Sequence, residues 1–258
     1  MEETKSERPH KEAYDKTKQM FIRNLLETSP ELASVFYLKD RKTPRKFTDV
    51  FFITCKGPRK SKTWFGSMVN VFVTATGEDC HCELIFASRS KKKEREDYYV
   101  TCRISTDLGS VTFEEFKDFG ANWEYFPLKP MSHNQILSIL LWCISQRDKP
   151  FDNLYLLYQV SSWASLGKLK GMVDPADNTA LTGYICTTLT ALALAQQFPL
   201  EIGSLFFEPL TCYQQALGEP KSITELTPTG LKEYLLEAGL FDADPKRSMN
   251  LKKIEFRH

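Results

Sequence analysis

Cys186 and His81 are the side chains whose types and settings best fit covalent chemistry in this sequence. A thiol nucleophile needs a depressed pKa, a base within reach and donors for a developing oxyanion. Cys186 falls at the start of an Ala/Leu-rich segment, TGYICTTLTALALAQQF, that reads as a helix. The first turn of a helix offers unpaired N–H groups and the positive end of the peptide dipoles, which favour a thiolate. The same N–H groups can donate to an oxyanion. His81 opens a strand just after a tight turn, where an imidazole can reach past the edge of a sheet. Together they have the makings of a thiolate–imidazolium couple.

Other assignments compete. A cysteine on an Ala/Leu helix is most often a small buried hydrophobe. His133 is the rival imidazole, but its place in the first turn of an apolar helix suits a surface or capping role, and His10 and His258 lie near the ends of the chain. Cys80-His81-Cys82 invites a zinc reading, yet alternation along a strand turns both cysteines to one face and the histidine to the other. No second Cys/His pair has finger-like spacing, and no metal or other cofactor is expected. For the group that orients the imidazole, Glu83 shares the His81 face of the strand, while Thr101 and Ser105 on the following strand are alternatives. Glu83 is favoured because an ionised acceptor steadies an imidazolium better than a hydroxyl does.

The elements that must hold these residues change character along the chain. A short amphipathic helix is expected over Phe21–Leu32. DVFFIT (49–54), MVNVFVTAT (68–76), HCELIFA (81–87) and YYVTCRIS (98–105) are rich in β-branched and aromatic residues and read as strands. Gly77-Glu78-Asp79 reads as a hairpin turn, and 111–113 as a further short strand. Ser132 caps a helix over 133–146, which Lys149-Pro150 stops. A second helix covers 185–197 before Pro199, and Thr227-Pro228 opens a last one that ends near Gly239. Residues 154–162 fit either state. The four tryptophans, Trp64, Trp123, Trp142 and Trp163, read as core or pocket walls. A strand-rich first half and a helix-rich second half imply an α+β fold, with an antiparallel sheet packed against helices. The expected organisation is an N-terminal helical or polar extension (1–48), one main domain (49–240) and a C-terminal tail (241–258).

Composition narrows the class. Hydrophobic residues at 42% allow a sizeable core, and 34 Lys+Arg against 33 Asp+Glu give no electrostatic reason to expect nucleic acid as a partner. Positive charge is clustered, however. Lys42, Arg45, Lys46, Lys56, Arg59, Lys60 and Lys62 stand against one acid, Asp49, and a second run spans Arg89 to Arg95. Such runs are usually solvated loops; the alternative is a patch for an acidic partner or a membrane surface. Seven cysteines, an odd number without compact spacing, suggest reduced thiols in a reducing compartment. The charged start lacks an apolar signal region, and the most apolar stretches (136–144 and 189–194) are too short to span a bilayer. A soluble cytoplasmic protein is expected.

Four segments carry a family resemblance. HCELIF (81–86) resembles the His–x–Glu–hydrophobic strand of circularly permuted relatives of the NlpC-type papain-like hydrolases. Asp148-Lys149-Pro150-Phe151-Asp152 resembles the short Gly-Lys-Pro-Tyr-Asp-like segment that precedes their nucleophile. Tyr184-Ile185-Cys186-Thr187-Thr188 resembles their Tyr–x–Cys–Ser–Glu helix start, and Thr227-Pro228 the opening of their late helix. The His-before-Cys order also matches, and the four pieces, in the family's order, span roughly 64–235, about one domain. Thr187 stands for Ser, a mild change; Thr188 stands for the frequent Glu and Asp148 for Gly, so any role of those two positions in relatives does not carry over.

The resemblance implies a permuted papain-like fold and a thiol hydrolase or acyltransferase: a peptidase, an amidase or a lipid acyl hydrolase. Cys186 is its nucleophile, His81 its base, Glu83 its orienting group and Tyr184 a candidate oxyanion donor. Substrates in such a family are peptides, lipids or acyl groups. Two rivals share the scaffold: a non-catalytic interaction protein using basic loops 42–62 and 89–95, and a phospholipid-directed acyltransferase whose basic loops face a membrane.

Overall fold

A computed structural model describes residues 20–37, 44–56, 62–64, 66–67, 71, 79–88, 98–105, 107–115, 122–153, 183–197 and 227–242. It has helices and a five-stranded antiparallel sheet, an α+β architecture. The chain divides into two compact units, Met1–Lys46 and Phe47–His258.

In the first unit, the expected helix over 21–32 is broken. Helix α1 (20–28) stops before Pro30, which opens a single tight turn, Pro30–Leu32, followed by the short α2, Ala33–Phe36. Proline has no N–H to continue the ladder and favours a first-turn position, so it divides the apolar pattern rather than extending it.

The second unit is built on strands β1 (Asp49–Lys56), β2 (Asp79–Ser88), β3 (Tyr98–Arg103), β4 (Thr112–Glu115) and β5 (Trp123–Pro127), in the spatial order β4-β3-β2-β1-β5. Strands flanked on both sides and covered on both faces read as continuous apolar runs. β1 does so, buried from Asp49 to Cys55. Register then decides which side chains meet. Cys55 pairs with His81 and Trp123, Ile53 with Glu83 and Tyr125, and Phe51 with Ile85 and Pro127. One face thus carries Phe51, Ile53, Ile85, Ala87 and Tyr99 as a packed cluster with Trp123 and Tyr125 against it. The opposite face carries Phe52, Thr54, Cys82, Leu84, Phe86, Val100 and Cys102.

Three helices follow. α3 (His133–Ser145) begins with a reciprocal cap: Gln135 N–H donates to Ser132 Oγ, and Ser132 N–H donates to Gln135 Oε1. α4 (Cys186–Ala195) is buried nearly all round and packs against β2, α3 and α5. α5 (Pro228–Glu237) is capped by Thr227, whose Oγ1 accepts from Gly230 N–H. It ends with Gly239 in the left-handed region (φ 63), where Gly239 and Leu240 donate to the carbonyls of Leu236 and Leu235.

Several expectations change. β5 was not anticipated. Of the expected strand 68–76 only Val71 is described, and it is helical and exposed. Trp64, expected in a wall, is 79% exposed. Phe241, assigned to a tail, is half-buried and stacks on Phe126 at 5.0 Å and Phe52 at 5.9 Å. The 42–62 stretch is not one basic loop, because its middle is β1. Arg45 is buried with Nε donating to the Ser34 carbonyl, and Lys56 pairs with Glu124. Residues 57–61, 89–97, 154–182 and 243–258, with Trp163, His10 and His258, lie outside the described residues. Among the described residues, no helix is long and apolar enough to cross a membrane.

Candidate active site

The site lies where β2 outruns its neighbour. β2 pairs with β1 from Asp79 to Ala87, but with β3 only from Leu84 to Ser88. Among the described residues, no strand flanks its first residues on the β3 side. α5 fixes this start of β2: Thr229 Oγ1 accepts from Asp79 N–H at 2.8 Å, and Lys232 Nζ binds Asp79 Oδ2 at 2.8 Å. His81 follows two residues later, 5% exposed, with the Trp123 ring edge-on at 6.1 Å.

The approach to α4 is equally constrained. The Asp148–Asp152 segment, with Asp148 in the left-handed region (φ 65), is threaded between Gly109–Val111 and Tyr184. Tyr184 N–H donates to the Pro150 carbonyl and Asp152 N–H to the Tyr184 carbonyl, making a short parallel bridge between Phe151 and Tyr184. Gly183 is needed for this fit, since a Cβ there would lie 2.5 Å from the Pro150 carbonyl oxygen. Ile185 caps α4 without a polar side chain. Its N–H donates to Thr188 Oγ1 at 3.1 Å, and that hydroxyl donates back to the Ile185 carbonyl at 3.0 Å. Thr188 is therefore a helix-start residue. Cys186 follows as the first residue of α4, beside the first-turn N–H groups that find no acceptor within a helix.

These two constructions bring Cys186, His81 and Glu83 together. The Cys186 thiol is in hydrogen-bonding contact with the His81 ring and the Cys82 thiol, and it also accepts from the Cys82 backbone N–H. His81 Nε2 meets Glu83 Oε1 at 2.8 Å, which leaves Nδ1 as the ring nitrogen available to sulfur. Glu83, 1% exposed, also accepts from Thr101 Oγ1 at 2.9 Å and Arg103 Nε at 3.1 Å. Arg103 in turn donates to Glu114. A carboxylate held by three donors cannot swing away, so it fixes the plane of the imidazole.

Electrostatics follow from the contacts. The hydrogen bond from the Cys82 thiol holds the Cys186 thiol well below its ordinary value. Burial opposes this, while the charge and hydrogen bond of His81 and the Cys82 backbone N–H add to it. For His81, burial works to lower the value, but the Cys186 charge and hydrogen bond and then Glu83 outweigh it, and the imidazole is raised. Thiol down and imidazole up is the signature of a thiolate–imidazolium pair.

The remaining candidates fall elsewhere. Thr101 touches Glu83, one step out from the imidazole, and the Ser105 carbonyl closes a turn by accepting from Leu108 and Gly109. Tyr184 donates its hydroxyl proton to Gln146 Oε1 at 2.7 Å, so it anchors the approach to α4. His133 accepts from Phe47 N–H at 3.1 Å and stacks on Phe47. Sequence reasoning did not single out Cys82, Arg103 or Trp123 as parts of the site. Cys82 carried a signal, being the immediate neighbour of His81; Arg103 and Trp123 depend on strand register. No protein-family model, curated protein or solved structure matches this chain.

Proposed function

We propose that the protein is a cysteine-dependent hydrolase or acyltransferase, acting on an amide, ester or thioester, on a permuted papain-like scaffold. One observation carries the reading: a cysteine at the first position of a buried helix touches a histidine that a buried glutamate orients. The helix against a central antiparallel sheet, and the His-before-Cys order, support the scaffold assignment.

In this mechanism the Cys186 thiolate attacks the carbonyl carbon, the C–S bond forms and the carbonyl electrons move to oxygen. The Cys186 backbone N–H, at the positive end of α4, is the nearest built-in donor for that oxyanion. His81, as imidazolium, gives its proton to the departing amine, alcohol or thiol as the bond to it breaks. The neutral imidazole then takes a proton from water or an acceptor nucleophile, which attacks the acyl-thiol carbonyl and regenerates the thiolate. Glu83 keeps the ring in one tautomer and orientation throughout.

The test is trapping of the acyl group. Full-length protein incubated with an activated ester, an acyl thioester or an N-acyl peptide should gain one acyl mass on Cys186 and release the leaving group. Cys186→Ala should fold with a loss on the order of 1 kcal/mol, yet turn over about 10⁴-fold or more slowly. Equal turnover by both proteins, or a wild type that no acyl donor modifies, would remove the hydrolase reading and leave a papain-like scaffold without chemistry.

A further inference from the structure

Cys82 takes no part in acyl transfer as written, yet it is the thiol set against the nucleophile. Its Sγ lies 3.9 Å from Thr190 Oγ1. Thr190 stands four residues beyond Cys186 on α4, hence on the same helical face one turn along. The Cys82 thiol and backbone N–H both reach the Cys186 sulfur. Both cysteines are free thiols. Cys82 is buried at 1% exposure, whereas the Cys186 residue is only half-buried.

We propose that Cys82 is a resolving cysteine, and that hydrogen peroxide reversibly closes the site through a Cys82–Cys186 disulfide. The proposal rests on reading Cys186 as an activated nucleophile. In the first step the Cys186 thiolate attacks one peroxide oxygen. An S–O bond forms, the O–O bond breaks, and the departing hydroxide takes a proton and leaves as water. The product is Cys186 sulfenic acid. In the second step the Cys82 sulfur attacks the sulfenyl sulfur, the S–S bond forms and the S–O bond breaks. The leaving hydroxide takes the Cys82 proton and departs as a second water. Two thiols are oxidised by two electrons and the peroxide is reduced by the same two.

Charge favours this order. Burial and the adjacent Cys186 thiolate keep Cys82 protonated in the reduced protein. Conversion of Cys186 to a neutral sulfenic acid removes that negative neighbour, so Cys82 becomes easier to ionise as its target appears. The disulfide masks the acyl-accepting sulfur and protects it from irreversible over-oxidation. A dithiol reductant reverses it by exchange.

The experiment treats full-length wild type and Cys82→Ala with hydrogen peroxide, then maps the cysteines by tandem mass spectrometry. Fragment ions must separate Cys80 from Cys82 and Cys186 from Cys212, because no Lys or Arg divides either pair. Wild type should lose two free thiols and yield a Cys82–Cys186 linkage that dithiothreitol erases, with acyl-donor labelling lost and then restored. In Cys82→Ala, dimedone should trap Cys186 sulfenic acid, and prolonged peroxide should take it to sulfinic acid. If that variant does not fold, the wild-type linkage map alone decides. Dimedone-labelled Cys186 in wild type without the linkage, a linkage joining other cysteines, or no oxidation of Cys186 would each overturn the proposal. Acyl-donor labelling of untreated protein is read separately. If it persists while the linkage is absent, the proposal fails alone; if the linkage forms without acylation, the hydrolase reading fails alone.

Discussion

Two thiol pairs occupy the same side of the sheet, and they sit in different surroundings. Cys102 of β3 meets Cys143 in the last turn of α3, and Cys82 of β2 meets Cys186 in the first turn of α4. Each pair joins a buried strand cysteine to a helix cysteine. The strand members respond alike. Cys102 is pushed well above its ordinary value by the Cys143 hydrogen bond and by burial, and Cys82 by burial and the Cys186 thiol. Cys186, the thiol facing Cys82, is driven down. Thiol pairing and burial are therefore not enough to activate a sulfur. At the Cys186 end, the partner's donors are joined by an imidazole on a fixed carboxylate and by the positive end of a helix. At Cys143 the helix presents its carbonyl end. A strand that stops short makes the difference, because the β3 pairing ends at Leu84 and one sulfur reaches both the Cys82 backbone N–H and the His81 ring beyond it.

This contrast can be broken from the activated side first. Glu83→Gln retains the size of the side chain but removes the charge that holds His81 and Arg103. Acyl transfer should fall on the order of 10²-fold, since general acid–base help of that size depends on an oriented, ionised partner. His81 should also titrate at lower pH than in wild type, read by NMR of the imidazole. An unchanged rate and an unchanged titration would show that the carboxylate is a structural anchor only. At the other pair, Cys143→Ala should leave acyl transfer within twofold of wild type, with a stability loss of about 1 kcal/mol in a thermal melt. A large loss of activity from Cys143→Ala would mean that the two pairs are coupled through α3 and α4, whose packing joins them.

Much of this arrangement was legible from residue types. The burial of β1 follows from its Val50–Ile53 apolar run, the start of α3 from Ser132 and Gln135, and that of α5 from Thr227-Pro228. His81, Glu83 and Cys186 were singled out because a strand start and a helix start are places where an imidazole and a thiol become useful. What stayed hidden depends on contacts between distant segments. Trp123–Pro127 becomes a strand by pairing with β1, a partner far away in the chain. Arg103 reaches Glu83 only because β3 lies antiparallel to β2 in one register. Tyr184 looked like an oxyanion donor from its place two residues before Cys186, but the fold gives its hydroxyl a closer acceptor in Gln146. Proximity in sequence suggested the site's members; the strand ladder and the helix caps decided which of them point inward.

The central claim is that Cys186 is a thiolate held by His81, and the rate at which iodoacetamide labels it as a function of pH tests that claim most directly. A cysteine whose folded value is depressed is ionised above that value, and a raised imidazole stays protonated below its own. The two shifts together widen the pH range over which thiolate and imidazolium coexist. Peptide mapping of wild type should show Cys186 as the fastest-labelled thiol, with a rate nearly flat through neutral pH that drops only on the acid side. His81→Ala should slow its labelling at neutral pH and move the rise toward the ordinary thiol range. Labelling of Cys186 that climbs only at alkaline pH in wild type, or that is indifferent to His81→Ala, would contradict the account.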